Sequence, residues 1–350
     1  MTDKNYCASS YLALRYIEDP EKEFFDGLHH QVYRQKPVNE RTHVRTVQDI
    51  DLALQHSFSK IKDKKKGILL SGGMDSAILA SYMAGCDAYT FRFLNGTYQS
   101  EELHRAEHYA HLYNLNLHYV DINWDIIDRC LDKTMASKGA PVHSIEPQIF
   151  HAARQAELDG ISLMIIGDGS DYVFGGMDKL LSKDWDFDAF EKRYTYVSPA
   201  EVLKEPVSMD YLFERYRMPG NKIDYLRLLQ DIAIDESYAS YQNAFHAADM
   251  PYLDPYAALY LTEPLDLSRI RGGESKYLIR QLFKTKYPDL PVPEKVPMPR
   301  PVDHYFAGWE GPKRPEFRSD IDISRFNGNQ KWLLYCLERF LNLYDKYSQL

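Results

Sequence analysis

Short apolar runs alternate with amphipathic stretches from residue 67 to about residue 175, and this alternation constrains the fold more than any other feature of the chain. Gly67–Leu70 (GILL) reads as a strand, and Asp75–Met83 reads as a helix behind a Gly/Ser turn. Ala88–Phe93 is a second strand. Glu101–Tyr113 follows as a helix, with Leu103, Ala106, Ala110 and Tyr113 on one stripe. Leu117–Ile122 is a third strand, two helical stretches follow over Asp125–Met135 and Gln148–Leu158, and Ile161–Ile166 is a fourth strand apolar enough to be buried on both faces. Strands separated by helices cannot pair as hairpins, so the pattern predicts an α/β fold, a doubly wound parallel sheet covered on both sides. Ligands of such sheets bind at the carboxyl ends of the strands.

The rest of the chain divides around this core. Residues 1–60 read as a lead-in segment, 61–185 as the α/β core, and 186–350 as an appended, mostly helical region where the strand signal fades. The segment LPVPEKVPMPRP, residues 290–301, cannot be helical because proline recurs every two or three positions. It is expected to be an extended loop that folds back over the core. The lysines between Lys60 and Lys66 read as a solvated face.

Composition excludes several classes. No run approaches the roughly 18 consecutive apolar residues of a membrane span, and the opening MTDKNYCASS lacks the basic and apolar regions of a secretory leader. The net charge of −9 argues against nucleic acid as a partner, since that surface is usually basic. Four scattered cysteines, Cys7, Cys86, Cys130 and Cys336, make neither a disulfide framework nor a zinc site, so a reducing cytoplasm is expected. His104, His108 and His111 share one helix face but flank an apolar stripe without a further ligand, and they read as a boundary face rather than a metal site.

Two glycine loops carry the chemistry. The first strand runs into Ser71-Gly72-Gly73-Met74-Asp75-Ser76. Glycines let a backbone turn tightly beside an anion, the following helix offers free N–H groups, and Ser71 and Ser76 add hydroxyls. This is a pyrophosphate cradle but not a Walker A loop, since GxxxxGK[ST] is missing. Asp75 would repel a polyphosphate unless a cation lay between them, which implies Mg²⁺. The fourth strand ends in Gly167-Asp168-Gly169-Ser170-Asp171, leaving the same sheet edge, so Asp75 and Asp171 could face one metal-bound triphosphate.

These loops resemble the synthetase domain of the asparagine synthetase family, which includes the β-lactam synthetases. The family's SGGxDS is matched from Ser71 to Ser76, and IGDGSDYVFGGM, from Ile166 to Met177, resembles its SGEGxDExFGGY. Further matches follow in order: Glu101-Glu102 with Ala106 and Ala110, Pro251-Tyr252-Leu253-Asp254 against PFLD, Lys276 to Arg280 against KxLLR, and Leu290-Pro291 with Lys295 against the LP…K loop. Residues 9–28 resemble the linker that precedes this domain in full-length members.

The resemblance implies that ATP and Mg²⁺ bind, that a carboxylate attacks the α-phosphate, and that ammonia or an amine displaces AMP to form an amide. Leu70, Ser71, Gly72, Gly73, Asp75 and Ser76 would hold the nucleotide, with Gly167 and Gly169 opposite and Phe91, Arg92 and Phe93 along the adenine. Asp75 and Asp171 would ligate Mg²⁺. Lys276 would sit near the phosphates, Lys295 would stabilise charge in the tetrahedral step, and Asp168 would accept a proton from the nitrogen. Departures count too. Only about 65 residues precede the first loop, so the N-terminal glutaminase domain of full-length members is expected to be missing, leaving ammonia from solution, a separate glutaminase or a substrate amine. Asp168 stands where the family has Glu, and Tyr172 replaces an acid. The stretch Tyr238–Met250 has no Arg or Lys, so aspartate is not the expected acid. A homodimer is compatible with all of this. Two other readings remain open at this point: activation of a nucleobase or tRNA for sulfur or nitrogen transfer, and a non-catalytic member of the fold.

Overall fold

The computed structural model describes residues 1–94, 100–295 and 298–347. Five parallel strands form the central sheet: β1 (Lys66–Leu69), β2 (Asp87–Phe93), β3 (Asn116–Ile122), β4 (Leu163–Ile165) and β5 (Tyr252–Leu253). Their spatial order is β3-β2-β1-β4-β5. The order reverses between β1 and β4, so this is the switch point of a doubly wound sheet, where crossovers diverge and leave a crevice. The two glycine loops leave β1 and β4, one on each side of that crevice.

Register follows side-chain period. β2 and β3 pair over seven residues, from Asp87 opposite Asn116 to Phe93 opposite Ile122. Ile68, Leu70, Ala88 and Ile165 point to one face, and Tyr89, Phe93, Val120, Ile122 and Met164 to the other. On the first face pack α2 (Val47–Ser59), α3 (Met74–Ala80), α4 (Ser100–Leu112) and α8 (Tyr277–Lys286). On the second pack α1 (Lys4–Leu14), α5 (Trp124–Lys138), α6 (Glu146–Leu158), α7 (Ile234–Ala247) and α9 (Gly328–Tyr347). The α/β class, the parallel sheet and the helical C-terminal region are thus as the alternation of the sequence requires.

Local signals set the helix ends. Thr46 and Asp49 form a reciprocal capping box on α2. Asn123 caps α5, and Gly139 ends it in the left-handed conformation that glycine adopts without strain. The segment before β1 is packed into the fold: α1 is buried from Tyr6 to Leu14, and its Tyr11 hydroxyl donates to the Val142 carbonyl at 3.0 Å. Strand boundaries differ by a residue or two from the sequence reading. Leu70 lies just past β1, although its N–H still donates to the Tyr89 carbonyl at 2.8 Å. Two pieces of sheet carry no readable period, β5 and the parallel pair of Thr42–Val44 with Leu259–Leu261. No helix among the described residues is long and apolar enough to cross a membrane.

Candidate active site

A cavity of about 210 Å³ opens at the carboxyl ends of β1, β2 and β4. The first loop contributes Leu70, Ser71, Asp75 and Ser76, β2 contributes Tyr89, Thr90 and Phe91, and the second loop contributes Gly167, Asp168 and Asp171. Tyr241 of α7 and Lys295, Met298 and Pro299 of the proline-rich loop close it. A smaller recess shares Ser71, Asp75, Asp171 and Lys295 and adds Gly73, Arg105, Lys276 and Arg280.

The first loop is knitted by its serines. The Ser71 N–H donates to Ser76 Oγ at 3.0 Å, the two hydroxyls lie 3.0 Å apart, and the Gly73 N–H donates to Ser71 Oγ at 3.1 Å. Gly72 is required by packing: a Cβ there would collide with the backbone of Glu102 on α4. Gly169 is in the same position, because a Cβ would strike the backbone of Ala257 and the Tyr238 hydroxyl. Both glycines therefore admit neighbouring protein where a Cβ would stand.

Asp75 lies in the first turn of α3, where a carboxylate is favoured by the helix dipole. Its Oδ1 accepts from Ser170 Oγ at 2.7 Å, tying the two loops together, and its Oδ2 accepts from Lys276 Nζ at 2.6 Å. Lys276 also stands 2.7 Å from Asp171 Oδ1, and Lys295 Nζ donates to Asp171 Oδ2 at 2.7 Å and to the Gly176 carbonyl. Two carboxylates and two ammoniums thus alternate in one network. Lys276 is 3% exposed and sits immediately before α8 in a left-handed conformation, φ 51°. Burial works against its charge, but Asp75 and Asp171 prevail and push its pKa up. Burial works against the charge of Asp171 too, and the two lysines hold its carboxyl below the ordinary range.

On the far side of the cavity the balance reverses. Burial first, then the neighbouring Asp254, holds the Asp168 carboxyl well above its usual pKa, although its Oδ2 accepts from Ser237 Oγ at 2.9 Å. Burial pushes Asp254 up to about 7 while its oxygens accept from the N–H groups of Gly169, Tyr256 and Ala257. Asp254 thereby clamps the second loop onto the end of β5.

The structure brings together Leu70, Ser71, Asp75, Ser76, Gly167, Asp168, Asp171, Lys276 and Lys295, with Gly73 at the recess. It divides the β2 trio. Phe91 lines the cavity, but Arg92 turns outward to an ion pair with Asp121 at 2.6 Å, and Phe93 is buried in the core beyond it. The two residues before Phe91, Thr90 and Tyr89, complete the wall instead. Of the loop 290–301, residues 296–297 lie outside the described residues. Sequence reasoning missed Ser170, Ser237, Tyr241 and a half-buried arginine pair, Arg15 and Arg300. None of these sits in a readable pattern, apart from Ser170 inside the second loop.

A sequence model of the asparagine synthase family matches residues 49–253, more than half of the chain and all of the central sheet. The chain belongs to the asparagine synthase family. A Methanocaldococcus jannaschii protein named "Putative asparagine synthetase, glutamine-hydrolyzing, 1" is 28% identical over 173 residues. That match spans 46% of this chain and 30% of the relative's length. Among solved structures, the U34-tRNA thiolase NcsA of Methanococcus maripaludis superposes with a TM-score of 0.30 at 12% identity, over 71% of this chain and 82% of its own. The NMN synthetase of Francisella tularensis gives 0.29 at 11% identity, over 72% of this chain and 100% of its own. Both superpositions are loose.

Proposed function

We propose that this asparagine synthase family member is an ATP-dependent, AMP-forming ligase that adenylates a carboxylic acid and passes the acyl group to ammonia or an amine. One observation carries the reading. Two loops from opposite sides of the switch point converge their acids, Asp75 and Asp171, on one buried lysine, with a second lysine arriving from a third segment.

In this reading the nucleotide lies along β2, with its ring against Tyr89, Thr90 and Phe91 and its phosphates over the first loop. Ser71 and Ser76 exchange their mutual hydrogen bond for bonds to the departing pyrophosphate. The substrate carboxylate approaches from the side of Asp168 and Tyr241, attacks the α-phosphorus, and the bond to the pyrophosphate oxygen breaks. Lys276 holds charge on the phosphates. Lys295, only partly buried, leaves Asp171 to meet the oxyanion that forms when nitrogen attacks the acyl carbon, where a fixed cation in a dry site counts most. Asp168, once it has given up the proton that its burial favours, takes the proton released by the nitrogen.

The donor set fits magnesium. The two carboxylates present hard oxygens to one point, and Asp171 Oδ1, though 2.7 Å from Lys276 Nζ, completes no hydrogen bond. Magnesium is commonly held by one or two carboxylates plus substrate phosphates. Bound there, it would neutralise charge on the triphosphate.

The test is exchange of labelled pyrophosphate into ATP across a panel of carboxylic acids, followed by ammonium as nitrogen donor. Exchange that requires an acid, and an amide product on adding ammonium, are expected. Exchange that ignores the acid would overturn the reading.

A further inference from the structure

Behind Asp168 lies a charge imbalance that the proposed adenylation does not use. Arg15, the residue that ends α1, donates to Glu236 Oε2 at 2.9 Å, to the Tyr196 hydroxyl and to His143 Nε2 at 2.7 Å. Arg300, from the proline-rich loop, reaches the same His143 Nε2 at 3.3 Å, and among the described residues no carboxylate pairs with it. One imidazole nitrogen has a single lone pair. Facing two guanidiniums it can only accept, so the ring stays neutral, and burial with Arg15 and Arg300 nearby pulls its pKa well down. Two cations therefore share one anion, Glu236. Burial first, and Arg15 next, draw the Arg300 guanidinium down to about 10, which still leaves it charged at neutral pH.

Burying an unmatched charge is unfavourable unless something neutralises it. Arg15 has an architectural reason to be there, since it pins α1 to α7. Arg300 has none: four of its five N–H donors make no bond among the described residues. Neither arginine is itself part of the cavity lining, but the chain carries Arg300 directly on from it. Met298 and Pro299, the two residues before Arg300, line that cavity. Glu236 and Ser237 are consecutive on α7, and while Glu236 holds Arg15, Ser237 holds Asp168. Both arginines keep partial exposure.

We infer that Arg15 and Arg300 form a subsite for a second anionic group on the substrate, so that the acid activated here is a dianion without an amino group beside that anion. The charge count sets the last clause. An anion brings the subsite to balance, whereas the zwitterionic head of an amino acid adds an ammonium that finds Glu236 already taken by Arg15. The second group is a carboxylate or a phosphonate-like oxyanion, since both match the planar guanidinium. The inference rests on the adenylation reading for what happens at the other end of the substrate.

The experiment measures binding, not turnover. Succinate, glutarate and adipate are titrated into the full chain by calorimetry with a non-hydrolysable ATP analogue present. Their controls are butyrate, valerate and hexanoate, and aspartate and 3-phosphonopropionate are titrated beside them. At least one dianion is expected to bind roughly tenfold or more tighter than its monoanionic counterpart and than aspartate, a gap typical of charge-assisted hydrogen bonds. Preference for the dicarboxylate or the phosphonate says which oxyanion is read. Arg300→Gln is expected to erase the gap while ATP-analogue affinity holds, and Arg15→Lys to narrow it. No gap in the natural protein, or a gap that survives Arg300→Gln, overturns the subsite. Discrimination without acid-dependent pyrophosphate exchange would keep the subsite and sink the adenylation reading; exchange without discrimination would do the reverse.

Discussion

Lys276 and Asp75, 201 residues apart in sequence, meet at 2.6 Å across the switch point of the sheet, and the same ammonium reaches Asp171 at 2.7 Å. The contact joins α8 to both glycine loops, so the site's charges and its scaffold are one structure. Lys276→Met would leave two half-buried carboxylates, Asp75 and Asp171, facing each other without their buried cation. Loss of one partner of a buried pair costs about 3–5 kcal/mol. Thermal unfolding should show a loss of that size. Millimolar magnesium should then raise the variant's melting temperature more than the natural protein's, since both acids are freed for it. Equal magnesium responses would argue against Asp75 and Asp171 as the metal's ligands.

Lys295 touches Asp171 from a loop and is partly exposed, so it bears on chemistry more than on folding. Lys295→Met should lower turnover by roughly 100-fold, the usual cost of one oxyanion donor, with little change in the KM for ATP. Steady-state kinetics separates this from a binding defect, which would raise KM and spare turnover.

The two adjacent glycines of the first loop should respond differently. A Cβ on Gly72 meets the backbone of Glu102, which cannot step aside cheaply, whereas a Cβ on Gly73 meets only Ser71 Oγ at 3.2 Å. Gly72→Ala should destabilise by about 1–3 kcal/mol, and Gly73→Ala by clearly less. Denaturant midpoints of the two variants check the contrast.

Asp168 and Asp254 make stability depend on pH with a definite sign. Both carboxyls hold their protons more tightly when folded than when unfolded, Asp254 up to about 7. Their contribution is complete below the ordinary carboxyl pKa and is lost as pH rises through the raised values. Asp168→Asn keeps an acceptor for Ser237 and stays neutral. Its melting temperature should match the natural protein's near pH 4 and exceed it increasingly toward neutral pH. A difference that stays constant with pH would mean that Asp168 is not held protonated.

Much of this was legible in the sequence because it rests on local signals. Four strands announced themselves by apolar runs between turn residues, and the loops by glycines and serines at fixed offsets. What stayed hidden depends on distance. The pairing of β4 with β5 adds two residues to the sheet, too few to show a period. The arginine pair is assembled from residues 285 positions apart by number, and nothing near Arg15 or Arg300 marks either as special until α1 and the proline-rich loop meet at His143. The stretch Tyr238–Met250 does lack Arg and Lys, as read. The two arginines that meet at His143 come from elsewhere in the chain. Arg92 and Phe93 show the opposite failure: the cavity lies against Tyr89–Phe91, and nothing in the strand's own sequence says where along it the cavity begins or ends.

The central claim concerns where the nucleotide breaks. Purified protein with ATP, magnesium, an accepted acid and ammonium should release AMP and pyrophosphate in equal amounts, resolved by anion-exchange chromatography, with release dependent on the acid. ADP and orthophosphate as the products would contradict the account.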